Sequence, residues 1–358
     1  MNKRILGIDV ARALAVIGMI IVNFKIVLGE NGENWLKTFA HLFDGKAAAT
    51  FVVLAGIGLA LLTNSAVKNQ NEEKLIIARK RIVKRALFLF VVGLSYIWVW
   101  SADILHFYGI YMLLTILFIT RKSKQILIGA IVLILIYPLL LLFWNYETGW
   151  NFTILEYTDF WTFEGFLRNL FYNGFHPVVP WTAFMLVGLW FGRQDLNNGK
   201  FIKRTFLLSA SAFTLIQFIS YTSIHIISKG SSKAIETLTP ILGTDPMPPM
   251  PIYMLNGISI ALVVISACIL IAKRFENSKI IDALNKTGQL ALTFYVAHVV
   301  IGMGVVEEID PSKLGNYSVE FSVIYSLVFS LFCILFAVIW LRYNKSGPLE
   351  WVMRKMTD

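Results

Sequence analysis

Apolar residues in this chain come in long, nearly unbroken runs. Ten stand out, over 5–28, 47–64, 86–101, 104–120, 125–144, 178–192, 205–228, 251–272, 287–306 and 320–341. A helix needs about 20 apolar residues to cross roughly 30 Å of hydrocarbon. The pattern therefore predicts an all-α, polytopic integral membrane helix bundle of about ten transmembrane helices. The third, fourth and sixth runs are the shortest of the set. The first run is long and lacks a small-residue cleavage site, so it reads as a retained span and not as a cleavable signal. No linker or low-complexity tract divides the chain, and residues 1–358 read as one domain.

The first run, ILGIDVARALAVIGMIIVNFKIVL, contains polar residues that an apolar helix has no use for. At 100° per residue, Asp9, Arg12 and Asn23 fall within about 60° of one another on one face. A charge near mid-bilayer costs roughly 2.5–3.5 kcal/mol on insertion scales. Such residues face the bundle interior and mark functional positions by default.

Composition agrees with the pattern: 57% of residues are apolar and the mean hydropathy is +0.67, well above a soluble domain. Basic residues give the spans a direction. With Lys3 and Arg4 in the cytoplasm and ten alternating spans, cytoplasmic segments hold 24 Lys and Arg and external segments hold 6. Both termini then lie in the cytoplasm, and the chain belongs in the cell (inner) membrane as a multi-pass protein. The same bias absorbs the net charge of +10. It faces an anionic leaflet, and nothing suggests a nucleic acid partner. The largest cytoplasmic loop, KNQNEEKLIIARKRIVKR, reads either as a topology anchor or as a mouth that attracts a polyanion.

Two external segments are long. Residues 145–177 place Phe160, Phe163, Phe166, Leu167, Leu170 and Phe171 at helical spacing, which predicts an interfacial helix, either a belt element or a lid. Residues 229–251 end in the rigid TDPMPPMP. FVVLAGIG and FMLVGLWFG are only faintly alike, too little for an internal repeat.

All five histidines fall at mid-membrane or outside under this topology, and histidine is the usual general base near neutral pH. His41 leads, because Asp44 three residues on is placed to orient its imidazole. A solvated loop histidine is the plain alternative. His106 stands in the same relation to Asp103, His298 lies inside the ninth run, and His176 precedes the sixth. His225 reads as structural. Cys268 and Cys333 lie inside spans and form no disulfide framework, and no metal site is apparent. The chain has no P-loop, GxSxG, HExxH or CxxC, and no pair of broken spans in matching halves of the kind that points to a transporter.

Six motifs in order carry a family resemblance. IDVARALAVIGMIIVN resembles the first span of the transmembrane acyltransferases, a group that includes heparan-α-glucosaminide N-acetyltransferase and its bacterial YeiB-like relatives. Asp9, Arg12 and Asn23 keep the spacing D-x2-R-x10-N, with Ala13 where a glycine usually follows the arginine. FDGKAAATFVVLAGIG is similar to the YeiB-like second span and SADILHFYGIYMLL to its DIL-x-x-YG motif. HPVVPWTAFMLVGLWFGR resembles the PW…G…GR span, TGQLALTFYVAHVV the penultimate span, and GPLEWVMRKMT the ending.

The resemblance implies an acyltransferase that takes an acyl group from cytoplasmic acetyl-CoA or another acyl-CoA. The group passes to an external hydroxyl or amine, a glycan among the acceptors. It carries the catalytic role to His41, the only histidine between the first two spans, with Asp44 behind it, and maps the accompanying asparagine to Asn23, which is placed to polarise a thioester carbonyl. Arg12 and Asp9 either stabilise each other inside lipid or hold a carbonyl or phosphate. Arg81 and Arg85 of the basic loop suit the CoA phosphates. A homodimer is compatible with the family. The competing hypotheses are a transporter or flippase that uses the Asp9/Arg12 pair as a gate, and a membrane scaffold without activity.

Overall fold

The computed structural model describes residues 4–32 and 34–358; Lys3, half of the N-terminal basic pair, lies outside them. Among the described residues the fold is all-α apart from a two-residue antiparallel pair, β1 (Trp150–Asn151) and β2 (Glu156–Tyr157), and an isolated bridge between Asn31 and Ser318. The helices run α1 (Leu6–Leu28), α2 (Asn34–His41), α3 (Lys46–Lys68), α4 (Glu72–Ser95), α5 (Leu105–Ile116), α6 (Ser123–Leu140), α7 (Phe163–Arg168) and α8 (Val178–Phe191). They continue with α9 (Gly199–Ser228), α10 (Ser232–Leu242), α11 (Pro251–Arg274), α12 (Lys279–Gln289), α13 (Ala291–Ala297), α14 (Gly304–Ile309), α15 (Val319–Tyr343) and α16 (Pro348–Thr357). Two π-helical stretches, Asn169–Asn173 and His298–Met303, interrupt the pattern.

Local sequence explains the helix starts. Asn71, Asn198 and Ser318 accept backbone hydrogen bonds from the first turns of α4, α9 and α15, and Pro251 opens α11, where its missing N–H costs nothing. The predicted interfacial helix is shorter than its aromatic spacing suggested. The β1–β2 hairpin precedes it, Phe160 lies in the turn that follows the hairpin, and α7 with the following π-helical stretch takes 163–173.

Among the described residues seven helical stretches are long and apolar enough to cross a membrane, or eight if the bent pair Phe163–Asn173 and Val178–Phe191 counts as one span. The protein is thus a multi-pass membrane protein. The ten apolar runs map onto these elements with two exceptions. Run 86–101 is the apolar half of α4, whose first half is the basic loop, so the helix as a whole is too charged to qualify. Run 104–120 is α5, whose 12 residues span only about 18 Å at 1.5 Å per residue. Helices α4 and α5 pack against each other.

Helix α1 is the hub, packed against α3, α11, α12, α13 and α15. Its polar stripe therefore points into protein rather than lipid. The other principal seam joins α3 to α8, and small residues set its closeness. A Cβ on Gly56 would lie 2.0 Å from the Met185 carbonyl oxygen, and one on Gly188 2.0 Å from the Val53 carbonyl oxygen. The faintly similar segments FVVLAGIG and FMLVGLWFG are thus the two faces of one contact of the small-residue type common in membranes. Gly188→Val should force the helices apart and destabilise by about 1–3 kcal/mol or more. The protein purified in detergent should show it as a lower melting temperature, whereas Gly58→Ala, with open space around it, should melt like the parent.

Candidate active site

At one end of α1 the charges gather. Asp9, 3% exposed, accepts from Arg4 Nε at 2.6 Å and from Arg12 Nη1 at 2.5 Å. Two cationic partners offset the cost of burying a carboxylate here. Arg12 does more than neutralise Asp9, because it also lines two cavities. One, of about 280 Å³, is walled by Arg4, Arg12, Arg85 and Arg354, with Phe51, Leu54, Tyr108 and Met353 supplying an apolar side. The other, of about 530 Å³, adds Asp9, Asn64 and Lys68. Arg85 thus joins the basic cavity, while Arg81 stands beside it without lining it.

Both arginines hold Asp358, Arg85 Nη2 at 2.8 Å and Arg81 Nε at 3.1 Å. Burial raises the Asp358 pKa, but the hydrogen bond from Arg85 and the charges of Arg85 and Arg81 outweigh it and keep the carboxyl below the usual range. This tie is therefore complete at neutral pH and is lost as pH falls through that depressed value.

At the other end of α1 lies a second constellation. Lys25, 3% exposed, reaches Asp44 Oδ1 and Oδ2 at 2.9 and 2.7 Å and stands 2.9 Å from His41 Nδ1. His41 Nδ1 is itself 2.5 Å from Asp44 Oδ2. Nδ1 faces a carboxylate, which only accepts, and the Lys25 ammonium, which only donates and is already satisfied by both Asp44 oxygens; the shorter contact, to Asp44, assigns the His41 proton to Nδ1. That leaves the Nε2 lone pair free to take a proton, with Glu30 Oε2 at 3.5 Å to stabilise the imidazolium that results. Asp44 lies in the wall of a cavity of about 190 Å³ together with Asn23, Trp100, His176, Pro246 and Tyr295. His41, half exposed, sits at its edge through Asp44.

Asn23 Nδ2 donates to Nε2 of His298 at 2.8 Å. His298 is fully buried and opens the π-helical stretch of the penultimate span; such bulges often accompany functional positions. Between the two ends stands a closed network. Asp103 accepts from the Tyr96 hydroxyl at 2.5 Å, the His106 backbone N–H at 3.1 Å and the Tyr295 hydroxyl at 3.3 Å, and lies 2.9 Å from His106 Nδ1. His225 is exposed and contacts only its own helix, at the Tyr221 carbonyl, as a structural residue would. Cys268 and Cys333 are free and buried.

The structure thus places the expected residues in two groups, Asp9, Arg12 and Arg85 at one end and Asn23, His41 and Asp44 at the other. Arg12 and Asn23, eleven residues apart and about 16 Å along one helix, join them. Sequence reasoning missed two partners. Lys25 was visible as a second cation in the first run, but its face is opposite the polar stripe. His298 was visible only as a buried histidine, since its partner is 275 residues away.

Comparison with protein families decides the relationship. Residues 4–227 match the family described as heparan-alpha-glucosaminide N-acetyltransferase, catalytic. The chain belongs to this family. Residues 189–358 match a second, described as protein of unknown function (DUF418); together the two cover nearly the whole chain, as the resemblance to YeiB-like proteins anticipated. No curated protein and no solved structure matches the chain. The first match takes in all six residues of the two groups, while Pro246, Tyr295, His298, Met353 and Arg354 fall in the second.

Proposed function

We propose that this protein is a membrane acyltransferase that moves an acetyl or other acyl group from cytoplasmic acyl-CoA to an external hydroxyl or amine, with a glycan acceptor in keeping with the family description. One observation carries the reading. A basic cavity and a histidine-, asparagine- and carboxylate-lined cavity sit at opposite ends of α1, with Arg12 in one wall and Asn23 in the other. Four guanidiniums beside an apolar wall fit an anionic nucleotide carrying an uncharged arm. Acetyl-CoA supplies the activated acyl group; every other part of the chemistry falls to the chain. Arg4, Arg12, Arg85 and Arg354 bind phosphate oxygens. Asn23, its amide held by His298, donates to the carbonyl oxygen as charge builds there. His41 Nε2 takes the acceptor proton as the new C–O or C–N bond forms, with Asp44 keeping the ring in the productive tautomer; the thioester C–S bond breaks, and the proton goes on to the departing CoA thiolate, directly or through water.

The basic cavity then faces the cytoplasm, as basic residues dictate. This reading counts α4, 24 residues long, and the shorter α5 as crossings, which gives ten with both termini inside. Binding tests this reading directly. Purified protein should bind CoA in calorimetry with an affinity that weakens as salt rises. Arg12→Ala or Arg85→Ala should each weaken binding by about 10- to 150-fold, the value of a charged hydrogen bond of roughly 1.5–3 kcal/mol. Unchanged affinity in both variants would overturn the donor site. Movement of a solute across liposomes without any acyl-CoA would favour a transporter.

A further inference from the structure

The two cavities share a wall. Phe51 and Leu105 face the basic cavity; Tyr295 and Ile104 face the histidine-side cavity. The Phe51 and Tyr295 rings stack with centroids 6.3 Å apart and planes 17° from parallel. Ile104 and Leu105 are chain neighbours that look into opposite spaces. The Phe51–Tyr295 ring pair and the Ile104–Leu105 segment thus belong to the partition.

Its two aromatic leaves are held very differently. The Tyr295 hydroxyl accepts from the Ile104 backbone N–H at 3.0 Å and donates to Asp103 Oδ1 at 3.3 Å. Asp103 is in turn fixed by Tyr96 and His106, and it is wholly buried. Phe51 has no polar anchor; its other ring neighbour is Tyr108, 5.8 Å away between centroids. A rigid ring thus faces a ring whose position rests on packing alone, and a rotamer change of Phe51 opens the wall at the lower cost.

We propose that Phe51 and Tyr295 form a size-selective gate between the two cavities, with Phe51 the moving leaf and Tyr295 the fixed one. The inference rests on the transfer reading for its purpose, since the gate then limits which acyl arm reaches Asn23. It also assigns a duty to the buried Asp103–His106 pair, which positions Tyr295 and touches no substrate.

The test needs no acyl transfer. Ala48, in the wall of the histidine-side cavity, is replaced by cysteine in the full-length protein in oriented vesicles, with labelling of the buried native thiols subtracted. A small, impermeant, sulfonated methanethiosulfonate is added from the basic side, where the arginines draw it in. Reaction should be slow with Phe51 present and about tenfold or more faster with Phe51→Ala, because reactivity follows the open fraction. Phe51→Leu should fall between, and serves if the alanine variant does not fold. Tyr295→Phe keeps the ring but loses its anchor, and should also speed the reaction. Labelling from the histidine side should be the same in all, which reports an intact fold. Equal basic-side rates in all four proteins overturn the gate. Faster labelling without acyl transfer from acetyl-, butyryl- or octanoyl-CoA keeps the gate and removes the transfer reading. Transfer with unchanged labelling does the reverse.

Discussion

His41→Ala should lose about 10²–10⁴-fold in acyl transfer, the usual contribution of a positioned general base, with CoA affinity unchanged. The expectation rests on where the ring stands. His41 Nδ1 is tied to Asp44 at 2.5 Å, so the ring cannot turn without breaking its shortest contact, and Nε2 is left as the proton acceptor. The basic cavity holds none of these atoms, so binding of the donor should not notice the change. Half exposure of the His41 side chain makes the substitution mild for folding. The measurement is transfer from radiolabelled acetyl-CoA to an amine or hydroxyl acceptor, paired with calorimetry on the same preparation. Loss of CoA binding together with activity would point to misfolding, and full activity would remove His41 from the chemistry. His176, in the wall of the same cavity, would then be the next base to test.

What was legible in the sequence was local. Asp9 and Arg12 share a helix face and pair at 2.5 Å; His41 and Asp44 are one turn apart and also pair. The first follows from helical spacing; the second comes from the tight turn between α2 and α3, where the Asp44 N–H bonds to the His41 carbonyl. Contacts between distant segments were not legible. Arg85 meets Asp358 across 273 residues and Asn23 meets His298 across 275, and no periodicity encodes either. The α3–α8 seam was half visible, since Gly188 and Gly192 have helix-packing spacing but their partner Gly56 is set only by the fold. Hydropathy found the apolar runs but not their grouping. Nor does it show that run 86–101 shares one helix with the basic segment before it, as α4 does, because hydropathy reads apolarity and not helix continuity.

Lys25 gives Asp44 a second duty, and separating the two yields the other large effect. A lysine 3% exposed is tolerated because both Asp44 oxygens lie within 2.9 Å of its nitrogen. Asp44→Ala should therefore destabilise the protein by about 3–5 kcal/mol, the usual cost of leaving a buried charge without its partner. It should also remove transfer, since His41 loses its orienting carboxylate. Lys25→Met together with Asp44→Ala removes both charges at once. Such replacements of a whole buried pair are often neutral in stability, so the double variant should melt close to the parent while transfer stays lost. Melting in detergent read beside transfer completes the cycle. If the double variant melts as low as Asp44→Ala alone, the carboxylate is held for packing and the Lys25 pair is not what makes it necessary. If the double variant recovers activity with stability, Asp44 steadies Lys25 only, and His41 is oriented by Glu30 instead.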